Sequence, residues 1–231
     1  MKSLKKQFPT LLLILCVSTT IAQEKKIAFN FKKGQVFDII FLNQKPDKGD
    51  LLQEYFKLAF PVAIKNGYNK QPGFSIKKST QGNYHPQSMI FGYWNTLDSR
   101  SKFLVEIENV LPDFHKRRRD LWSTFALTYW ELKEDLSFEI NSNKYNVVTS
   151  YWKKEGKSID PFINKWSSKA KQQGAKIKVA LVNGASPFGY YYNPDCLIIT
   201  EWENEAAFNA FLKSNLAMDH KVVEHVNQFI L

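Results

Sequence analysis

YHPQSMIFGYW, residues 84–94, returns as YNPDCLIITEW at residues 192–202. The two stretches align without a gap at an offset of 108 residues, pairing Tyr84 with Tyr192, Pro86 with Pro194, Ile90 with Ile198 and Trp94 with Trp202. Phe103 and Phe211 extend the match at the same offset. A constant offset across a turn, a strand and the helix after it points to a duplicated unit.

Working outward from the first copy, residues 35–43 (QVFDIIFLN) are rich in β-branched and aromatic side chains and have strand length. A turn cluster at residues 45–49 follows, and Asp50 is placed to cap a helix. Leu51, Tyr55, Leu58 and Val62 recur at helical spacing as far as Asn66-Gly67, with Pro61 predicting a kink or a break. Residues 74–80 read as a strand, Ser88–Trp94 as the next, and residues 99–111 as a helix that Pro112 interrupts. Asp113 can cap a short helix to Arg119, and residues 123–132 close the half as a strand. The order is β-α-β-β-α-β. Residues 145–152, 158–173, 176–183, 195–202, 203–216 and 222–231 repeat it, and Ile39 and Ile40 map onto Val147 and Val148. The chain therefore divides into a polar lead-in at 23–34, a first repeat at 35–132, a linker at 133–144 and a second repeat at 145–231.

Residues 1–22 read as a signal peptide. Lys2, Lys5 and Lys6 precede a short apolar run, LLLILCV at 11–17, and Thr20 and Ala22 supply the small residues of a cleavage site. The run is too short to span a bilayer, which takes about 20 residues. The expectation is a periplasmic or extracellular protein with no stable membrane insertion after cleavage. Three of the lysines behind the formal charge of +10 belong to this leader, and an exported chain meets little nucleic acid, so no nucleic-acid partner is expected. Cleavage leaves Cys196 without a disulfide partner. It lies in an apolar strand, where a buried, inert thiol is the plainer reading than a nucleophile.

An antiparallel sheet with both helices on one face is the ferredoxin-like split βαβ arrangement. The other face needs a partner sheet, and two such units in one chain can satisfy each other. The fold class expected is α+β: two ferredoxin-like β-α-β-β-α-β repeats packed sheet to sheet as an intramolecular α+β barrel. The element order, the Trp ending the third strand, and the Phe nine residues later resemble the dimeric α+β barrel superfamily over most of residues 35–231. That group includes antibiotic-biosynthesis-type monooxygenases and stress-responsive barrel proteins. The resemblance implies a fold far more than an activity. It implies binding of a small apolar or aromatic molecule in a half-barrel cavity. The alternative is a cofactor-independent monooxygenase or isomerase acting on an aromatic substrate. The haem-degrading type is expected to carry a histidine ten residues beyond that Trp, where this chain has Leu104 and Leu212. A haem-binding relative resembling chlorite dismutase would need His220 or His225 as axial ligand. No cofactor is assigned, and the pseudo-dimer within the chain leaves further homo-oligomerisation open.

The recurrent spacing to Phe103 and Phe211 favours packing of Trp94 and Trp202 on their own helices over an aromatic wall for a ligand. Strand alternation then sends Met89, Phe91 and Tyr93, with Leu197, Ile199 and Glu201, to the barrel side. Phe91 and Ile199 are candidate ligand contacts there. Glu201 is a candidate proton acceptor, as is Asp38, whose parity on its strand is open. His85 and Tyr93 complete the catalytic candidates. Each carboxylate also has a plainer reading as a wet or lysine-paired group at a strand end. His115 and Arg118, in the basic run ending at Arg119, could grip a carboxylate or phosphate at the barrel mouth, or merely complement a helix end. The four histidines show no zinc-site spacing, and no metal site is expected.

Overall fold

The computed structural model describes residues 26–187 and 192–231; the expected leader lies outside them. Along the chain run β1 (Lys26–Phe31), β2 (Val36–Gln44), α1 (Gly49–Lys65), β3 (Tyr68–Ser75), β4 (Lys78–Gln81), β5 (Ser88–Trp94), α2 (Leu97–Val110), α3 (Phe114–Leu121) and β6 (Trp122–Glu131). There follow β7 (Leu136–Asn141), β8 (Tyr145–Lys153), α4 (Asp160–Gln172), β9 (Lys176–Val182), β10 (Cys196–Trp202), α5 (Glu205–Leu216) and β11 (Val223–Ile230).

One antiparallel sheet has the order β3-β5-β2-β6, and a second has β9-β10-β8-β11 with β4 added beyond β11. In both, the first strand of the unit lies between the third and the fourth, the ferredoxin-like order, so the α+β class stands. The equivalence extends to detail. Trp94 lies 4.9 Å from Phe103 at 39°, and Trp202 lies 4.9 Å from Phe211 at 33°. Thr96 caps α2 by accepting from the Ser99 N–H at 3.1 Å, and Asn204 caps α5 from the Ala207 N–H at 3.0 Å. The shared residues of the repeat are packing residues.

Three departures from the sequence reading matter. The lead-in and the linker each hold a strand: β1 and β7 pair antiparallel from Lys26↔Asn141 to Phe31↔Leu136. Phe29, Phe31, Phe138 and Ile140 are buried and alternate with polar neighbours, a period-2 signal that the polar composition masks. The strand expected at 74–80 is two strands, and β4 leaves its own unit to pair with β11, Lys78 against Ile230 and Gln81 against Gln228. Finally, α1 continues through Pro61. That residue is exposed, so the carbonyl one turn earlier that loses its N–H partner faces water.

Each helical layer has its own core. Tyr55, Val62, Trp94, Phe103, Ile107 and Phe114 pack beneath α1, α2 and α3. Phe162, Trp166, Ile198, Trp202 and Phe211 do so beneath α4 and α5. The helix-free faces of both sheets supply a third core, in which Phe41, Phe91, Val148, Ile199 and Phe229 join Phe29 and Phe138 of the β1–β7 ribbon.

Candidate functional site

The site lies on the helix side of the first unit, where the sequence reading looked between the sheets. Small side chains make the space. On the inner face of α1, Ala59 and Ala63 oppose the sheet, and on β5 Gly92 leaves room for the Tyr68 ring. A Cβ at Gly92 would come within 2.2 Å of the Tyr68 hydroxyl. The result is a cavity of about 270 Å³ walled by aromatic and aliphatic side chains, among them Tyr55, Phe56, Phe60, Phe103 and Phe125. In the second unit Trp166 fills the corresponding layer, edge-on to Phe211 at 5.4 Å.

At the cavity floor sits an ion pair. Asp38 is the third residue of β2, opposite Gly92 on one side and Tyr129 on the other, and is 2% exposed. Its Oδ1 accepts from Nε of Arg100 at 3.2 Å, and its Oδ2 accepts from the indole N–H of Trp94 at 2.8 Å. Arg100, on the first turn of α2, is 4% exposed, and its guanidinium lies 4.1 Å from the centroid of the Tyr129 ring. Burial pushes the Asp38 carboxyl up from its ordinary range, against the opposing pull of Arg100 and the Trp94 bond. The Tyr68 phenol is also raised, by burial first and by the nearby Asp38 charge second.

Of the catalytic candidates from sequence, Asp38 alone lines this cavity. The open parity is resolved: it faces the helices. Glu201 is buried on the opposite face of the second sheet, with Lys178 at 3.4 Å and Lys176 at 3.5 Å, the lysine-paired reading. Tyr93 packs edge-on to Phe31 at 5.6 Å, and His85 is exposed, its carbonyl accepting from Asn43 at 3.0 Å. The four are not brought together. Phe91 and Ile199 are wholly buried in the inter-sheet core and line neither this cavity nor its neighbour, because the β1–β7 ribbon and its phenylalanines fill that face. His115 and Arg118 do come together, at the neighbouring cavity beside β6. For a haem the residues do not fit: His220 is bonded to the Met218 carbonyl at 2.8 Å, His225 packs on Trp152 at 5.1 Å, and neither lines a cavity described here.

Arg100, Tyr68 and the role of Trp94 escaped the sequence reading. The signal was present in the repeat itself. At the same offset Asp38, Tyr68 and Arg100 stand against Asn146, Lys176 and Phe208.

No protein-family model matches the sequence, and no curated protein matches it. Among solved structures, an anthrone oxidase-like protein superposes with a TM-score of 0.53 at 16% identity, covering 87% of this chain and 94% of that one. The two share an α+β, ferredoxin-like fold. A putative monooxygenase from Lactobacillus acidophilus (12% identity, 86% of this chain and 93% of that one, TM-score 0.39) superposes more loosely. So does a chlorite dismutase variant from Candidatus Nitrospira defluvii (12%, 86% and 92%, TM-score 0.47). At such identities the likeness is one of fold. No helix among the described residues is long and apolar enough to cross a membrane.

Proposed function

We propose that this is an exported protein in which the two units form an intramolecular α+β barrel, and that the first unit binds a small, largely apolar aromatic molecule. The observation that carries the reading is the helix-side cavity: aromatic walls, small residues on the facing helix, and a fixed polar pair, Asp38 and Arg100, at its floor. A mostly apolar lining with few polar groups is the composition of small-molecule sites. Trp166, packed on Phe211 in the corresponding layer of the second unit, supports placing the site in the first. Titration with neutral naphthalene-sized compounds, followed by fluorescence or calorimetry, tests this. Saturable binding that Ala59→Phe weakens is expected; equal binding by wild type and Ala59→Phe would sink the reading.

A second reading is favoured by Asp38 itself. A buried carboxylate with a raised pKa beside an aromatic cavity is suited to accept a proton from a carbon acid, the first step of a cofactor-independent monooxygenase or isomerase. The printed name of the anthrone oxidase-like structure fits a substrate of that class. Oxygen uptake with an anthrone, present in wild type and lost in Asp38→Asn, would support it. No turnover across a panel of anthrones and phenols would leave binding alone.

A further inference from the structure

The basic run ending α3 sorts its cations by direction. Lys116 meets Asp120 at 2.7 Å, and Arg117 meets Glu54 at 2.8 Å and Asp113 at 2.9 Å. Arg118 and Arg119, each about 100° further round the helix, line a second cavity of about 410 Å³ with Lys45, His115, Trp122 and Phe125. Among the described residues no carboxylate lines it; His115 meets Glu108 at 3.5 Å from outside that lining. Nζ of Lys45 donates to the Arg119 carbonyl at 2.6 Å, which holds the ammonium against this end of the helix and uses one of its three donors.

The two cavities are neighbours that share part of their lining. Arg118, Trp122 and Phe125 line both. Arg118 is fixed on the shared wall, its guanidinium 4.0 Å from the Phe114 ring centroid and 4.4 Å from that of Phe125, with Nε donating to the Tyr55 hydroxyl at 2.9 Å. Cations gathered on one cavity wall repel one another, and an anion between them relieves that repulsion. Asp120 is within electrostatic reach of Lys45 but is bonded to Lys116, and Glu54 and Asp113 are bonded to Arg117.

From this arrangement we infer that the ligand is an aromatic anion. Its ring system occupies the apolar cavity, and its carboxylate or sulfonate lies past Arg118 against Lys45 and Arg119. The inference rests on the binding reading above and adds the charge to it. It excludes a wholly neutral hydrocarbon as the preferred ligand.

The test uses two fluorescent probes on one skeleton: N-phenyl-1-naphthylamine, which is neutral, and 1-anilinonaphthalene-8-sulfonate. Wild type should bind the sulfonate at least about tenfold more tightly, the scale of one charge-assisted hydrogen bond. The double variant Lys45→Gln/Arg119→Gln should remove that advantage and leave the neutral probe unchanged, while Ala59→Phe should weaken both. Salt gives an independent measurement on unaltered protein: raising NaCl should weaken sulfonate binding alone. Equal affinities in wild type, or a sulfonate affinity indifferent to both the double variant and salt, would overturn the charge assignment while leaving the apolar site intact. Failure of the neutral probe to bind, or its indifference to Ala59→Phe, would instead overturn the underlying binding reading.

Discussion

The indole N–H of Trp94 donates to the Asp38 carboxylate at 2.8 Å, whereas that of Trp202, its counterpart in the repeat, donates to the Thr200 hydroxyl at 3.0 Å. The two rings pack on their helices almost identically, so the difference lies in what each N–H serves. Replacing Trp by Phe keeps most of the packing and removes the donor. Trp94→Phe should lose about 1.5–3 kcal/mol, the range for a bond to a charged group, and Trp202→Phe about 0.5–1.5 kcal/mol. Urea unfolding of the two variants decides this. Equal losses would mean that Asp38 does not draw on the indole.

The Asp38–Arg100 pair is costly to break and cheap to replace. Asp38→Ala leaves the Arg100 guanidinium buried without a counter-charge and should destabilise by about 3–5 kcal/mol. A double variant, Asp38→Asn/Arg100→Met, should recover much of that loss, and a denaturant double-mutant cycle measures the coupling.

Proton linkage gives the same pair a pH signature. The folded state raises the Asp38 pKa above its ordinary value of 3.8, so between the two values the folded chain holds the proton more tightly than the unfolded one. The stabilisation from this linkage is full below the ordinary value and disappears as pH rises through the folded value. Asp38→Asn has no such linkage. Its stability relative to wild type should therefore improve as pH rises from about 4, as followed by urea midpoints. A difference that moved the other way would mean that Arg100 outweighs burial.

Gly92→Ala puts a methyl group where the Tyr68 ring lies, 2.5 Å from its Cε2. Overpacking of this kind costs about 1–3 kcal/mol. Here it should also shift Tyr68 out of the cavity wall, so that loss of stability and altered neutral-probe binding appear together. Crystallographic or calorimetric evidence for an unmoved Tyr68 would contradict the placement.

Burial pushes the Cys196 thiol up to about 12. At pH 8 it should resist iodoacetamide in the native protein and react once denaturant is added, as read by mass spectrometry of the peptide that contains it. Rapid native alkylation would mean that the second layer opens readily, since a thiolate needs both solvent and a lower pKa to react.

Much of this architecture was legible because it obeys one period or the other. Ser88–Trp94, with its alternating pattern and its Trp at the edge of a capped helix, announces a strand, and the offset then announces its twin. The β1–β7 ribbon was not legible as a pair, since nothing local in KIAFNF names LSFEIN as its partner. The site was half legible. Asp38 could be singled out as a carboxylate inside an apolar strand. Nothing local marks Arg100 among the helix cations, because only tertiary packing places it over Tyr129 and against Asp38. The cavity itself comes from what is missing, the bulk absent at Ala59, Ala63 and Gly92, and absence of bulk has meaning only once the opposing surface is known.

The migration of β4 into the other sheet has a kinetic consequence. Thr80 reaches Gln228 at 2.8 Å across 148 residues of chain, so β4 must wait for a strand made that much later. Closing so long a loop is slow, and the order of synthesis makes it slower still. Through that interval the edge of β4 stays open to unwanted pairing.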